Sequence, residues 1–274
     1  FLPSLNLKYN LNDKNSLRFG ASKTYTLPQA KEISPYRYVG VNFNSQGNPN
    51  LKPSDNYNLD LKWDFNPTPT ELISLTAFYK LIKNPISRIE VASAGGYLSY
   101  ENIADKATVA GVEVEIRKNL FVRPVSNAAH GMNKLSLGLN GSYIYTNAKM
   151  PLATVTTGSQ LEGAAPWIVN FDLSHNFTKG ERSFVNTLVL NYVSDKIYTI
   201  GTQGYQDIME QGVLTLDFVS QAKLNKHLSL NLKARNLLNP SYKLSRKANE
   251  NGEKVILNDY KKGINISLGV SCTF

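Results

Sequence analysis

The stretch Gly263-Ile264-Asn265-Ile266-Ser267-Leu268-Gly269-Val270-Ser271-Cys272-Thr273-Phe274 decides how this chain is read. Successive side chains of a strand point to opposite faces. Ile264, Ile266, Leu268, Val270, Cys272 and Phe274 therefore form one continuous apolar face, and the small or polar residues between them form the other. Soluble strands alternate too, but chain ends usually fray and are polar, so alternation sustained up to a terminal aromatic is unusual there. About ten tilted residues carry a strand across a bilayer. The segment reads as a strand with lipid on its apolar face and water on the other, Phe274 lying at the interface where aromatic rings collect.

The same alternation recurs upstream. Leu228, Leu230, Leu232 and Ala234 oppose Ser229, Asn231, Lys233 and Arg235; Trp167, Val169, Phe171 and Leu173 oppose Asn170, Asp172 and Ser174; Tyr57, Leu59, Leu61 and Trp63 oppose Asn58, Asp60, Lys62 and Asp64. Such segments predict about eleven strands, within a range of ten to twelve, with long loops near 27–50, 84–106, 149–165, 197–211 and 237–259 and tight turns between them. The 84–106 segment has room for an extra hairpin. Outer-membrane barrels carry short turns at the periplasmic end and long loops outside, so this rhythm is a second signature. The predicted fold class is all-β, a transmembrane antiparallel β-barrel. An odd strand count would leave an edge of unpaired N–H and C=O groups, which hydrocarbon does not tolerate. Residues 1–274 are therefore expected to be the C-terminal part of a larger barrel domain whose other strands, and any export signal, precede Phe1.

Charge placement separates a membrane wall from a soluble sheet. Asp60, Lys62, Asp64, Glu113, Glu115, Arg117, Asp172, Asp217, Lys233 and Arg235 all fall on the face opposite the apolar one. A basic side chain facing lipid at mid-bilayer costs about 2–4 kcal/mol, so a membrane demands this confinement. Both signs occur on neighbouring strands, which suits paired contacts with something filling the lumen better than an open pore.

Composition agrees. No run approaches the roughly 18 apolar residues of a transmembrane helix, and the mean hydropathy of -0.28 is that of a soluble protein. A barrel passes unseen by both tests because half its residues face water. The chain has 15 Tyr and 11 Phe against 3 Met, which suits strands and interfacial girdles. Cys272 is the only cysteine and cannot make an internal disulfide, and His130, His175 and His227 lack the spacing of zinc ligands, so neither metal nor other cofactor is expected. The net charge of +9 is not gathered on an aromatic platform, and nucleic acid is not an expected partner. Lys243, Arg246, Lys247, Lys254, Lys261 and Lys262 read as a solvated loop or as contacts to lipopolysaccharide phosphates.

Five marks carry a family resemblance: Gly47-Asn48-Pro49-Asn50-Leu51-Lys52-Pro53 ahead of a strand; Phe78-Tyr79-Lys80 followed by Asn84-Pro85-Ile86; Asn102-Ile103 and then Gly111-Val112-Glu113-Val114-Glu115; Asn236-Leu237-Leu238-Asn239-Pro240-Ser241-Tyr242; and terminal Phe274. In this order and spacing the chain resembles the C-terminal half of a TonB-dependent outer-membrane receptor barrel of the Bacteroidota-like kind. Leu238 stands where that family commonly has Phe, and Leu27-Pro28 where Arg-Pro is common; both touch loop and girdle detail. The resemblance implies a barrel of about 22 strands, a bacterial outer-membrane location, and Phe274 as the C-terminal insertion signal. It implies no enzymatic activity but energised uptake of a scarce solute such as a siderophore, cobalamin, peptide or glycan. Implied partners are outer-membrane lipid and lipopolysaccharide, the receptor's own N-terminal plug, the TonB complex acting through the N-terminal region, and a surface lipoprotein.

Ligand capture falls to the loop aromatics Tyr36, Tyr38, Phe43, Tyr97, Tyr100, Tyr198 and Tyr205, because tyrosine can stack on a sugar or chelate and still hydrogen-bond. The competing reading packs these rings against one another or in the upper girdle. Asn239-Pro240 ends a strand, and Tyr242 just past it can sit at the membrane surface. Gly20-Ala21-Ser22-Lys23-Thr24 lacks the second glycine and the helix of a phosphate loop, and no Gly-x-Ser-x-Gly occurs, so no catalytic residue is assigned. Two other functions share parts of the pattern. A passive porin-like channel has the same strands without a plug, and a soluble β-sandwich binding module or adhesin presses its apolar faces together, the Ile264, Ile266 and Leu268 side included.

Overall fold

The computed structural model describes residues 1–93, 96–125, 131–150, 158–248 and 252–273, so Phe274 and His130 lie outside the described residues. The elements begin with β1 (Ser4–Asn12), β2 (Asn15–Thr26), α1 (Ala30–Ile33), β3 (Arg37–Tyr38), β4 (Ser45–Gln46), β5 (Ser54–Phe65) and β6 (Leu72–Lys83). They continue with β7 (Ile86–Val91), β8 (Tyr97–Asn102), β9 (Lys106–Pro124), β10 (Met132–Ala148), β11 (Trp167–Lys179) and β12 (Arg182–Val193). The last are β13 (Lys196–Thr199), β14 (Ile208–Glu210), β15 (Val213–Lys223), β16 (Leu228–Arg235), β17 (Ser241–Lys247), β18 (Lys254–Lys261) and β19 (Asn265–Cys272).

One antiparallel sheet of 11 strands runs in the order β1-β2-β5-β6-β9-β10-β11-β12-β15-β16-β19, and it is open at both edges. Chain neighbours are sheet neighbours, joined by turns at one end and excursions at the other. The turns are built by residues that favour them. Asn12 Oδ1 accepts the N–H groups of Lys14 and Asn15 at 3.0 and 2.9 Å, and Asn225 Oδ1 those of His227 and Leu228 at 2.8 and 2.9 Å. The excursions fall on the five predicted long loops.

The pleat sorts the wall into two faces. Leu59 pairs with Ala21 and Tyr79, and Leu61 with Phe19 and Ala77, while on the other face Asp60 pairs with Gly20 and Phe78, and Asp64 with Ser16 and Ser74. The apolar face is bare: Leu61 is 53% exposed, Ile266 68% and Leu268 69%. No second layer covers it among the described residues, which removes the packed-sandwich reading. On the polar face, Ser22, Asn58, Asp60, Thr76, Phe78 and Glu113 line a hollow of roughly 410 Å³.

Apart from Ala107, Ala148 and Ala234 of the wall strands, the buried apolar residues among those described lie above the wall. Ile89, Ile103, Ala104, Leu161, Ile197 and Ile200 cluster at the long-loop end, with Ile82 and Val109 of β6 and β9 packed beneath them. There the excursions fold into two four-stranded sheets, β3-β4-β8-β7 and β13-β14-β17-β18. The sheets meet where Ile89 and Ile200 pair in parallel, Glu90 N donating to Ile200 O at 3.1 Å and Ile200 N to Arg88 O at 3.0 Å. Together they make a second tier, a collar. The hairpin foreseen in 84–106 is β7–β8, and it belongs to this collar rather than to the wall.

Three of the sequence marks converge where the collar joins the wall. Asn102 Nδ2 donates to Lys52 O at 3.0 Å and Asn84 O at 2.8 Å, and its Oδ1 accepts the Lys52 N–H at 2.8 Å. Gly47 is glycine because a Cβ there would come within 2.4 Å of Ser34 O and 2.6 Å of Lys31 O. At the other end of the collar, Asn236 and Asn239 take left-handed φ values of 58° and 42°, which asparagine tolerates. Asn236 Nδ2 donates to Gly263 O at 2.7 Å, and Gly263 N donates to Asn239 Oδ1 at 3.1 Å, pinning the exit of β16 to the entry of β19.

Candidate functional site

The concave side of the collar encloses a cleft of roughly 550 Å³. Aromatic rings from separate strands line it: Phe43, which precedes β4, Tyr100 of β8, Tyr198 of β13, Tyr242 of β17 and Tyr260 of β18. Phe43 and Tyr198 stand 6.2 Å apart between centroids at a tilt of 36°, and Tyr242 and Tyr260 are stacked at 5.4 Å and 20°. The second pair follows from register, since Tyr242 and Tyr260 are direct partners on β17 and β18. Lys31 of α1, Arg88 of β7 and Lys243 of β17 bring positive charge, and Glu210 of β14 an acid.

Arg88 is the best-anchored cation. Its guanidinium lies 4.0 Å from the centre of the Tyr198 ring, Nε donates to Tyr198 O at 3.1 Å, and Nη2 meets Glu162 Oε1 at 2.7 Å. Glu162 Oε2 also accepts the Arg88 backbone N–H at 2.6 Å. Burial pushes the Glu162 carboxyl above its ordinary range, against the opposing pull of the Arg88 N–H and charge. Burial likewise pushes the Tyr100 phenol up, Arg88 opposing, so its hydroxyl stays a donor at neutral pH. Lys243 and Glu210 are held by Asp259 at 3.7 Å and Lys196 at 3.3 Å. Rings to stack on and anchored cations between them suit a planar or sugar-like solute that carries negative charge.

Such a cleft, at the long-loop end of an antiparallel membrane wall, is open to direct comparison. The family model described as TonB dependent receptor-like, beta-barrel matches residues 1–237. The chain belongs to this family. That family is of receptor and transporter type, and its place is the bacterial outer membrane. The iron-regulated outer membrane virulence protein of Vibrio cholerae serotype O1 is 25% identical over 227 residues, covering 79% of this chain and 32% of that protein. The ferric enterobactin receptor PfeA of Pseudomonas aeruginosa superposes with a TM-score of 0.61 at 18% identity, covering 100% of this chain and 40% of that one. The ferric yersiniabactin uptake receptor FyuA of Yersinia pestis gives 0.63 at 16%, covering 100% and 37%. The chain spans about a third of the length of the curated relatives it matches.

Of the seven aromatics named from sequence, the fold brings Phe43, Tyr100 and Tyr198 into the cleft. Tyr38, Tyr97 and Tyr205 lie on the collar away from it, beneath Lys31 at 5.5 Å, Arg37 at 5.0 Å and Arg246 at 5.3 Å, and Tyr36 is 75% exposed. Tyr242 lines the cleft as well: β17 pairs with β14 and β18 of the collar and carries the ring there. Sequence reasoning missed Arg88, Glu162 and Tyr260. The alternation of Ser87, Ile89 and Val91 against Arg88 and Glu90 was the available signal for the first.

The inner-face charges fall into two groups. Asp64 meets Arg18 at 3.2 Å and Lys62 at 3.5 Å, Glu115 meets Arg117 at 2.8 Å, and Asp217 accepts the Asn236 N–H at 2.8 Å. Asp172 leans over Gly138, where a Cβ would stand 2.1 Å from its Oδ1. Asp60, Glu113, Asp172, Lys233 and Arg235 have no ion-pair partner among the described residues.

Proposed function

We propose that this chain is the C-terminal part of the barrel domain of an outer-membrane receptor that captures a scarce, negatively charged solute outside the cell and imports it with energy delivered through TonB. The observation that carries the reading is the cleft of roughly 550 Å³, with Arg88 stacked on Tyr198 between tyrosine rings. Siderophores, cobalamin, peptides and glycans are the solutes considered. The cleft favours members that combine flat or ring-bearing surface with negative charge. The unpaired inner charges Asp60, Glu113, Asp172, Lys233 and Arg235 suit contacts with the receptor's own N-terminal plug, whose other end would engage the TonB complex. Lipopolysaccharide surrounds the wall, a surface lipoprotein at the collar is a further partner, and Phe274 serves as the insertion signal.

The test is solute uptake by cells expressing the intact receptor. Tyr198→Ala and Arg88→Gln should each weaken binding about tenfold or more, as loss of a stacked, charge-assisted contact does. Uptake should also stop when the proton-motive force is collapsed. Entry that persists without the proton-motive force and follows concentration alone would instead identify the passive channel.

A further inference from the structure

The apolar face of the wall is interrupted by a bounded polar patch toward its short-turn end. On β11 that face presents Trp167, Val169, Phe171 and Leu173, then His175, then Phe177. Trp167 packs against Tyr143 of β10 at 4.7 Å between ring centroids, and Phe177 against Phe184 of β12 at 6.4 Å. The stretch of strand between these two aromatic pairs has about the length that crosses a bilayer. His175 therefore lies inside the hydrocarbon band, one side-chain step from its edge.

It is not alone there. Its register partner on β12 is Asn186, whose partner on β15 is Ser220, and Asn133 of β10 stands diagonally across from it. Asn133 Oδ1 lies 2.9 Å from His175 Nε2, and Ser220 Oγ donates to Asn186 Oδ1 at 2.7 Å. On both flanks the same row turns apolar, with Leu135 of β10 on one side and Leu232 of β16 on the other. The bonding inside the patch is incomplete. Where Nε2 directs the ring proton to Asn133, Nδ1 of His175 is left as an acceptor, and neither it nor Asn186 Nδ2 has a hydrogen-bond partner among the described residues. An acyl chain supplies no partner, and a polar group left unpaired in hydrocarbon is costly.

Donor and acceptor sit side by side on adjacent strands, so the patch complements itself. A twofold axis through it sets Asn186 Nδ2 of each copy against His175 Nδ1 of the other, the reciprocity that defines an isologous interface. Leu188, the next residue along this face from Asn186, is 38% exposed and offers an apolar rim to the same contact. We propose that the patch centred on His175 and Asn186 is the contact by which two copies of this receptor pair side by side in the membrane. The contact rests on the membrane reading of the wall but not on the transport reading of the cleft.

The intact receptor, labelled with donor or acceptor dye, is reconstituted at high dilution in vesicles, and pairing is read by energy transfer. The wild type should show transfer above the level of random encounter. His175→Leu/Asn186→Leu should weaken pairing about tenfold, as loss of interchain hydrogen bonds within a membrane does, and should keep its folded mobility on a gel because leucine suits this face. A second measurement works from position. With the exposed Cys272 replaced by serine, a short bismaleimide should join copies carrying Leu188→Cys and leave copies carrying Leu61→Cys unjoined. Wild-type transfer at the random level, or equal transfer in the leucine variant, would overturn the proposal. Joining of the Leu61→Cys copies at the same rate would do the same, by showing encounters that prefer no face. A leucine variant that pairs as the wild type does but loses folded mobility at a lower temperature would also overturn it, by reducing the patch to a tie between wall strands. Solute uptake measured in parallel keeps the two readings apart: failure of uptake with pairing intact counts against the cleft and leaves this contact standing.

Discussion

The wall and the collar solve opposite burial problems with the same kind of strand. In the wall the large apolar side chains point outward and stay uncovered, and the inner face is polar. In the collar, Ile89, Ile197 and Ile200 are 5%, 5% and 1% exposed, packed as in any water-soluble core. The wall needs a solvent of acyl chains, whereas the collar provides its own. A change in one tier should therefore leave the other standing, and this separation can be broken experimentally.

The largest effect is expected at the seam of the collar. Ile200→Ala removes most of a fully buried side chain and should cost the collar about 2–5 kcal/mol. Hydrogen exchange at the Glu90 and Ile200 amides, which bond across the seam, should accelerate while the amides of β5 and β6 stay protected. If the wall amides accelerated equally, the two tiers would be one cooperative unit and the comparison would fail.

The converse substitution is Leu61→Arg, midway along β5 on the outward face. It should cost the wall about 2–4 kcal/mol when folding into vesicles is followed by denaturant titration, because an arginine at mid-bilayer faces lipid. Asp60→Asn, one residue away and facing in, should change little by the same assay. Equal costs would mean that the two faces are not solvated differently.

A smaller difference separates two wall glycines. At Gly111 a Cβ would come within 2.3 Å of Phe78 Cζ and 2.5 Å of the Tyr143 carbonyl oxygen, whereas at Gly138 the close atoms all belong to the Asp172 side chain. Backbone cannot swing aside and a carboxylate can. Gly111→Ala should therefore cost about 1–3 kcal/mol, as overpacking does, and Gly138→Ala less, in the same titration. The reverse order would show that Asp172 is held rigidly, by contacts the isolated wall does not reveal.

How much could be read from the chain alone follows from the same contrast. The wall repeats Tyr57, Leu59 and Leu61 or Ile264, Ile266 and Leu268 with period two over many residues, because every strand faces the same pair of solvents. Its strands, turns and two faces were legible for that reason. The collar strands span from two residues in β3 to eight in β18 and are placed by contacts between excursions far apart in sequence. Ile89 meets Ile200, and Arg88 meets Glu162, across separations that no local pattern encodes. Aromatics could be nominated from their loops, but which ones share a cleft depends on that long-range assembly. Tyr242 shows the limit, since only its pairing with Tyr260 turns it inward.

The smallest effect concerns the acid that ties the third excursion to this assembly. Burial, opposed by the Arg88 N–H and charge, holds the Glu162 carboxyl above its ordinary value of 4.5. An acid whose pKa is higher in the folded chain binds its proton more readily there than in the unfolded one. As pH falls through the window between the raised value and 4.5, this group adds stability to the collar; the contribution is absent at neutral pH. Glu162→Gln keeps an oxygen for the Arg88 N–H and cannot titrate. Protection of the Glu90 and Ile200 amides, corrected for intrinsic exchange, should rise in the wild type on going from neutral to mildly acidic pH. In the variant the same shift should leave it nearly flat. A parallel response in both proteins would assign the titration to another group. A wild-type collar that loosened on acidification would reverse the sign and make the ionised Arg88–Glu162 pair, rather than its burial cost, the dominant influence.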